Sequence, residues 1–244
     1  VRPGWLVVFA KAPEPGRVKT RLCPPLTPAQ AAELYRCLLE DAFAESAEAA
    51  APLGLEPVVA ADPAAAGPAL AALAPRGFRA VAQSGPDLGA RMTHVLRQAA
   101  AAGAAGLLMR GSDSPALDRA TLQEAWAALT EHDVVLVPDP DGGYGLVGLG
   151  ARALARGAPA PGLFDHPMST PTVLVETVAR ADCLGLAVRR LAPGFDIDRH
   201  EDLRRLAAFR HRSVTCPCPR TLAFLDAERL WPRALRSAQG SGRR

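Results

Sequence analysis

Lysine is almost missing from this chain: of 28 basic residues, 26 are arginine, and the two lysines fall in one short N-terminal run. A nucleic-acid signature is missing too. The net charge is only +3, and outside that run the arginines are spread along the whole chain, which excludes a basic stripe or a polybasic membrane tract. No apolar run approaches the roughly 18 residues of a membrane span, and no charged, apolar and cleavable pattern is read ahead of the first strand, so a cytoplasmic protein is expected. Five cysteines, an odd number without regular spacing, exclude a disulfide framework and suit a reducing cytoplasm. Cys216-Pro217-Cys218 has no second pair with which to complete a four-ligand zinc site. The histidines show no ligand spacing, a Gly-x-Ser-x-Gly nucleophile elbow is absent, and no repeat period is visible.

What is present is ample apolar sequence, 49% of 244 residues, enough for one large core. Strand-like and helix-like segments alternate, the pattern of a mostly parallel sheet covered by helices. Strands are expected at 6–10, 55–60, 78–82, 106–110, 133–138, 144–149 (a candidate for antiparallel pairing) and 186–191. The first helix should open at Thr27-Pro28-Ala29-Gln30, a capping box with proline at the first helical position, and present Ala31, Leu34, Tyr35, Leu38, Leu39 and Ala42 to the sheet. Further helices are expected at 63–73, 87–101, after Asp118, after Ser169 or Thr170, and at 200–211. The proline-, glycine- and alanine-rich segment 152–167 reads as a lid. Residues 1–211 form the expected main domain; 212–244 form a C-terminal extension with one amphipathic helix and a disordered end.

The lysine run is Phe9-Ala10-Lys11-Ala12-Pro13-Glu14-Pro15-Gly16-Arg17-Val18-Lys19-Thr20-Arg21-Leu22. Arginine offers a planar fork and lysine a compact point charge, so a chain that avoids lysine elsewhere keeps it where a point charge fits. Four cations follow an apolar strand through a loop broken by prolines and Gly16. Such a loop can cradle phosphate, because glycine admits close backbone approach and the cations neutralise oxygens; the competing reading is a solvated basic loop.

In open α/β sheets the ligand crevice lies beyond the carboxyl ends of the strands. Polar clusters that follow predicted strands there are the basic loop, Asp113 in Gly111-Ser112-Asp113-Ser114-Pro115, Asp141 with Gly142 and Gly143, and Asp196 with Asp198. A hard cation such as Mg²⁺ (or Mn²⁺) takes one or two such carboxylates plus substrate phosphate. Asp118 and Asp139 read as helix-cap or turn residues, and Asp196 as a residue that fixes its loop.

Six ordered motifs carry a resemblance: Phe9 to Leu22, Gln83 with Asp87-Leu88-Gly89-x-Arg91-Met92, Gly111 to Pro115, Asp141 to Tyr144, Ser169-Thr170, and Asp196-Ile197-Asp198 with Glu201-Asp202-Leu203. Over about residues 5–206 the chain resembles a bacterial GT-A-fold family, the glycosyltransferase A-like proteins of unassigned function. More distantly it is similar to the molybdenum-cofactor and 2-phospholactate guanylyltransferases. The resemblance implies a three-layer α/β/α, Rossmann-type GT-A fold with a mostly parallel mixed sheet. It implies that Arg17, Lys19, Arg21 and Asp113 are catalytic, that Ala10, Lys11, Gly16, Gln83 and Gly89 bind nucleotide, and that Asp113 and Asp198 hold Mg²⁺. Asp141, Gly142, Gly143, Ser169 and Thr170 would border the acceptor. The chain departs from the family pattern at Gly145, Met168 and Arg199-His200. The expected activity is Mg²⁺-dependent transfer of a nucleoside monophosphate from a nucleoside triphosphate to a small phosphorylated or hydroxyl acceptor. The alternative is glycosyl transfer from a nucleotide sugar; a nucleotide-binding module without turnover is a third reading.

Overall fold

A computed structural model describes residues 2–157, 162–212 and 216–232. Seven strands form one sheet: β1 (Trp5–Lys11), β2 (Glu56–Asp62), β3 (Arg79–Ala82), β4 (Gly106–Gly111), β5 (Val134–Pro138), β6 (Tyr144–Gly150) and β7 (Val188–Arg190), in the order β3-β2-β1-β4-β6-β5-β7. All neighbours run parallel except β6, which is antiparallel to both β4 and β5. The tight turn after Pro138 forces that reversal, since a two-to-five-residue link can join only antiparallel strands. The α/β fold with a mostly parallel mixed sheet is therefore as the sequence predicts.

Alternation along β1 shows how the layers are built. Leu6, Val8 and Ala10 point to one face, where they meet α1 (Pro28–Leu53), α2 (Gly67–Leu73) and α4 (Arg119–Ala128) through Tyr35, Phe43, Leu70 and Leu122. Trp5 and Val7 point to the other, against α3 (Leu88–Ala101), α5 (Ala151–Arg156) and α6 (Val173–Cys183) through Val95, Leu96, Leu154 and Ala181. Each leucine or phenylalanine so buried contributes roughly 1.5–3 kcal/mol.

The capping box at Thr27 is formed, with Thr27 Oγ1 accepting from the Gln30 backbone and Gln30 Oε1 accepting from that of Thr27. Asp87 and Asp118 cap α3 and α4. One face of α1 departs from expectation. Tyr35, Leu39 and Ala42 meet the sheet, whereas Ala31, Leu34 and Leu38 pack in a third cluster with α7 (Asp202–Arg212) and α8 (Pro219–Ala227) through Leu203, Leu206, Leu222 and Leu225. The helix is apolar on two sides because it is buried on two sides. Asp41, on the same helix and almost wholly buried, accepts from the Arg220 and Thr221 backbone and from the Thr221 hydroxyl, which caps α8 from outside.

Two local expectations are corrected. Neither Ser169 nor Thr170 caps α6: Ser169 is left-handed (φ 65°) and Pro171 follows Thr170, so the helix starts after Thr172. The 152–167 segment is not an open lid over its described part. It begins inside α5, and Leu163 and Phe164 are fully buried in the core. The expected disordered end at 237–244 lies outside the described residues.

Candidate functional site

The parallel strands deliver their carboxyl ends to one edge, and there the N-terminal loop folds back. Val18 and Leu22 are buried and anchor it on either side of Lys19. Between these anchors Lys19 adopts a left-handed conformation (φ 49°), costly for a residue with a side chain and sustained only where surrounding contacts over-determine it. Those contacts are ionic. Lys19 Nζ donates to Asp113 Oδ2 at 2.6 Å and lies 3.9 Å from Asp198 Oδ1, with only 6% of its side chain exposed. Arg21 reaches the other oxygen of Asp198 at 2.7 Å. Residues 94 and 179 positions apart from Lys19 in sequence thus share its ammonium.

Burial works to lower the pKa of Lys19, but Asp113, Asp198 and Asp196 outweigh it and hold it above the ordinary lysine value. Burial likewise opposes ionisation of Asp113, and Lys19 with buried Arg110 overcomes that and holds its carboxyl below the usual range. Both partners are therefore charged at neutral pH. Arg110 also braces the loop, because its guanidinium donates to the carbonyls of Gly111, Ser114 and Leu117 and so stitches the Asp113 turn to the end of β4. Tyr35 joins the two loops, accepting the Lys11 backbone N–H and meeting Ser112 Oγ.

A cleft of about 1030 Å³ opens beside this cluster. Lys11, Arg21, Asp113, Asp141, Gly143, Ser169, Thr170 and Asp198 line it. Other expected residues are placed elsewhere. Arg17 is 76% exposed and paired with Glu14, on the outer side of the loop. Gly16 needs its positive φ of 76° and has open space where a Cβ would stand. Ala10 is buried in β1, and Gln83 spends its Nε2 on the carbonyls of Ala10 and Ala60, clipping the ends of β1 and β2 together. Gly89 has a packing reason, since a Cβ there would stand 2.4 Å from the Phe164 carbonyl oxygen. Gly142 is doubly constrained, with φ 92° and a Cβ position 2.0 Å from the Pro171 carbonyl oxygen.

Sequence reasoning undervalued two aspartates. The backbone of Asp139 does make the turn after β5, through Asp139 N–H to Gly143 O and Gly142 N–H to Asp139 O, but its carboxyl faces the cleft. Burial, with Asp196, Asp141 and Asp113 nearby, pushes it up to about 7, and its Oδ1 is buried without a partner. Asp196 is pushed up to about 6 by burial and by Asp113, Asp141 and Asp198. The signal available in sequence was position alone: both follow apolar strands.

Asp113, Asp196 and Asp198 surround the Lys19 ammonium, and Asp139, with its orphaned oxygen, and Asp141 lie close to Asp113 and Asp196; oxygen donors of this kind suit a hard cation. Among the described residues no three His, Cys, Asp or Glu side chains are arranged to enclose a metal. Asp113 and Asp198, the two carboxylates expected to hold Mg²⁺, are here paired with Lys19 and Arg21.

The family model described as "Uncharacterized protein conserved in bacteria (DUF2064)" matches residues 45–170. The phosphoenolpyruvate guanylyltransferase of Chloroflexus aggregans (strain MD-66 / DSM 9485) is 33% identical over 147 residues, which span 59% of this chain and 68% of that protein. A candidate nucleotide-diphospho-sugar transferase from Desulfovibrio desulfuricans G20 superposes with a TM-score of 0.79 at 28% identity, covering 93% of this chain and 96% of that one. The 4-diphosphocytidyl-2C-methyl-D-erythritol synthase of Anaerococcus prevotii DSM 20548 shares the fold at a TM-score of 0.52 and 11% identity, over 86% and 99% of the two chains. With a family model over more than half its length and a transferase fold throughout, the chain belongs to the DUF2064 family of bacterial proteins.

Proposed function

We propose that this protein is a nucleotidyltransferase in which an acceptor phosphate or hydroxyl attacks the α-phosphorus of a nucleoside triphosphate and pyrophosphate leaves. The observation that carries the reading is the buried Lys19 ammonium between Asp113 and Asp198, with Arg21 beside it, at the carboxyl edge of the sheet. The named activity of the Chloroflexus relative, guanylyl transfer, supports it.

The work of the chain in this reaction is positioning and electrostatics. Lys19 and Arg21 neutralise the charge that develops on the departing pyrophosphate. Lys11 reaches the cleft from the end of β1. Asp113 and Asp198 would hold Mg²⁺, which would supply a positive charge to draw electron density from the phosphate oxygens. Asp141 to Gly143 and Ser169-Thr170 border the acceptor on the far side. A phosphate acceptor is already ionised and needs no general base. Nucleoside triphosphates and free thiols belong to the cytoplasm, and we place the reaction there.

Glycosyl transfer is the second reading, favoured by the name of the Desulfovibrio structure. Product analysis separates the two. Incubation with each nucleoside triphosphate and phosphoenolpyruvate, with and without Mg²⁺, should release pyrophosphate in a metal-dependent manner, with GTP as the first donor to try. Release of a nucleoside diphosphate from a nucleotide sugar, with no pyrophosphate from any triphosphate, would overturn nucleotidyl transfer.

A further inference from the structure

The polar chemistry uses only part of the cleft. Its remaining floor is apolar, and all three methionines of the chain converge on it: Met92 from α3, Met109 from β4 and Met168 from the segment before α6, joined by Phe9 and Tyr144. Methionine is unbranched and polarizable, so a floor built from it adapts to apolar guests of varied shape. The rim continues the pattern. Among the described residues the exposed large hydrophobic side chains are Leu88, at 43%, and Val175, at 64%. They stand in the first turns of α3 and α6, the helices whose first residues, Leu88 and Val173, line the cleft from either side. Of the two, Leu88 is itself among the residues that line the cleft, and it carries the apolar floor out to the rim.

We infer that the acceptor is an amphiphile, with a phosphate or hydroxyl head at the carboxylate and ammonium cluster and an apolar body resting on Met92, Met109, Met168 and Leu88. This rests on the transferase reading above and names its substrate class. A nucleobase could lay a ring face on this floor, but it is told apart by donors and acceptors at its edge, and none of Met92, Met109, Met168 and Leu88 offers a strong partner for one. A three-carbon acid such as phosphoenolpyruvate leaves the floor uncovered. A cleft of about 1030 Å³ also sits at the upper end of the range for sites that enclose drug-sized ligands.

Calorimetric titration of the full chain with ethyl, butyl and hexyl phosphate tests this. Affinity should rise about three- to fourfold per methylene, so that hexyl phosphate binds on the order of 100-fold tighter than ethyl phosphate. In a Leu88→Ser/Met168→Ser variant the hexyl-to-ethyl ratio should fall at least about tenfold, by loss of apolar contact. Both side chains are on the surface or half-buried, and the wild-type series decides by itself if the variant does not fold. Equal affinities along the series, or a ratio untouched by the double substitution, would overturn the proposal. Pyrophosphate release from a triphosphate is followed in parallel. Turnover without chain-length preference refutes the amphiphilic acceptor and leaves nucleotidyl transfer standing; chain-length-dependent binding without pyrophosphate release supports the apolar subsite and sinks nucleotidyl transfer.

Discussion

The hydroxyl of Tyr35 lies 2.9 Å from Ser112 Oγ and accepts the backbone N–H of Lys11 at the same distance. One buried side chain of α1 thus ties together the end of β1, which launches the cationic loop, and the end of β4, which launches the Asp113 loop. Tyr35→Phe keeps the ring and deletes the link. An amide left without its acceptor in a part-buried site costs about 1–3 kcal/mol. Urea denaturation should show a loss of that size, and turnover should fall because Lys19 and Asp113 are less firmly held together. Unchanged stability would mean that water replaces the hydroxyl and that the tie has no positioning role.

Lys19→Ala removes the charge that Asp113 and Asp198 share. With one member of a largely buried pair gone, the other is left uncompensated, and such losses run to roughly 3 kcal/mol. Because the same ammonium faces the proposed leaving group, kcat/KM should drop by about 10²–10³-fold, the range for losing one preorganised stabilising contact. Lys19→Arg should rescue little, since a planar fork cannot occupy the site of a point charge between two carboxylates. Chemical denaturation and steady-state kinetics on both variants check this; an arginine variant of near-wild-type activity would show that charge alone suffices.

How far the sequence disclosed this site depends on what kind of information each residue carries. The scarcity of lysine pointed to Lys19, and placement after apolar strands pointed to Asp113, Asp141 and Asp198, because the carboxyl edge of a parallel sheet collects such residues whatever the loops do. The roles of Gln83 and Gly89 were harder to read. Their contacts run to backbone carbonyls of Ala10, Ala60 and Phe164, and no side-chain pattern announces a carbonyl. Asp139 was misjudged for a related reason: its backbone does form a turn, and only three-dimensional proximity to Asp196 and Asp113 shows that its carboxyl does something else. The second buried face of α1 was hidden because helical periodicity shows that positions are apolar and not which neighbour covers them.

The raised pKa of Asp139 gives a pH dependence with a definite sign. Its folded value of about 7 lies well above the unfolded value of about 3.9, so the folded protein binds the proton more tightly. The stability this confers is complete below about pH 4 and is lost as the pH rises through about 7, on the order of 2–4 kcal/mol. Asp196, at about 6, adds a loss of the same sign over a narrower window. Thermal melts of the ligand-free protein should therefore show this contribution declining from pH 5 to pH 8, and Asp139→Asn should flatten the profile. Mg²⁺ should raise the melting temperature more at pH 8 than at pH 5, because Asp139 and Asp196, ionised only at the higher pH, add negative charge beside Asp113. A wild-type profile identical to that of Asp139→Asn would contradict the assignment.

Asp41 provides a test of how firmly the C-terminal helix belongs to the fold. Burial raises its pKa, and the hydrogen bonds from Thr221 and Arg220 only partly offset that. The charge is therefore less important than the two accepting oxygens. Asp41→Asn keeps one oxygen for Thr221 but turns an NH2 toward the Arg220 N–H, and should cost about 1–2 kcal/mol. Asp41→Ala strands the Thr221 N–H and hydroxyl together with the Arg220 N–H, and should cost roughly 2–4 kcal/mol. It should also increase hydrogen exchange in α8 ahead of the sheet, since Leu222 and Leu225 are held against α1 by the same docking. Equal destabilisation by the two substitutions would show that the charge of Asp41, and not its role as acceptor, fastens the helix.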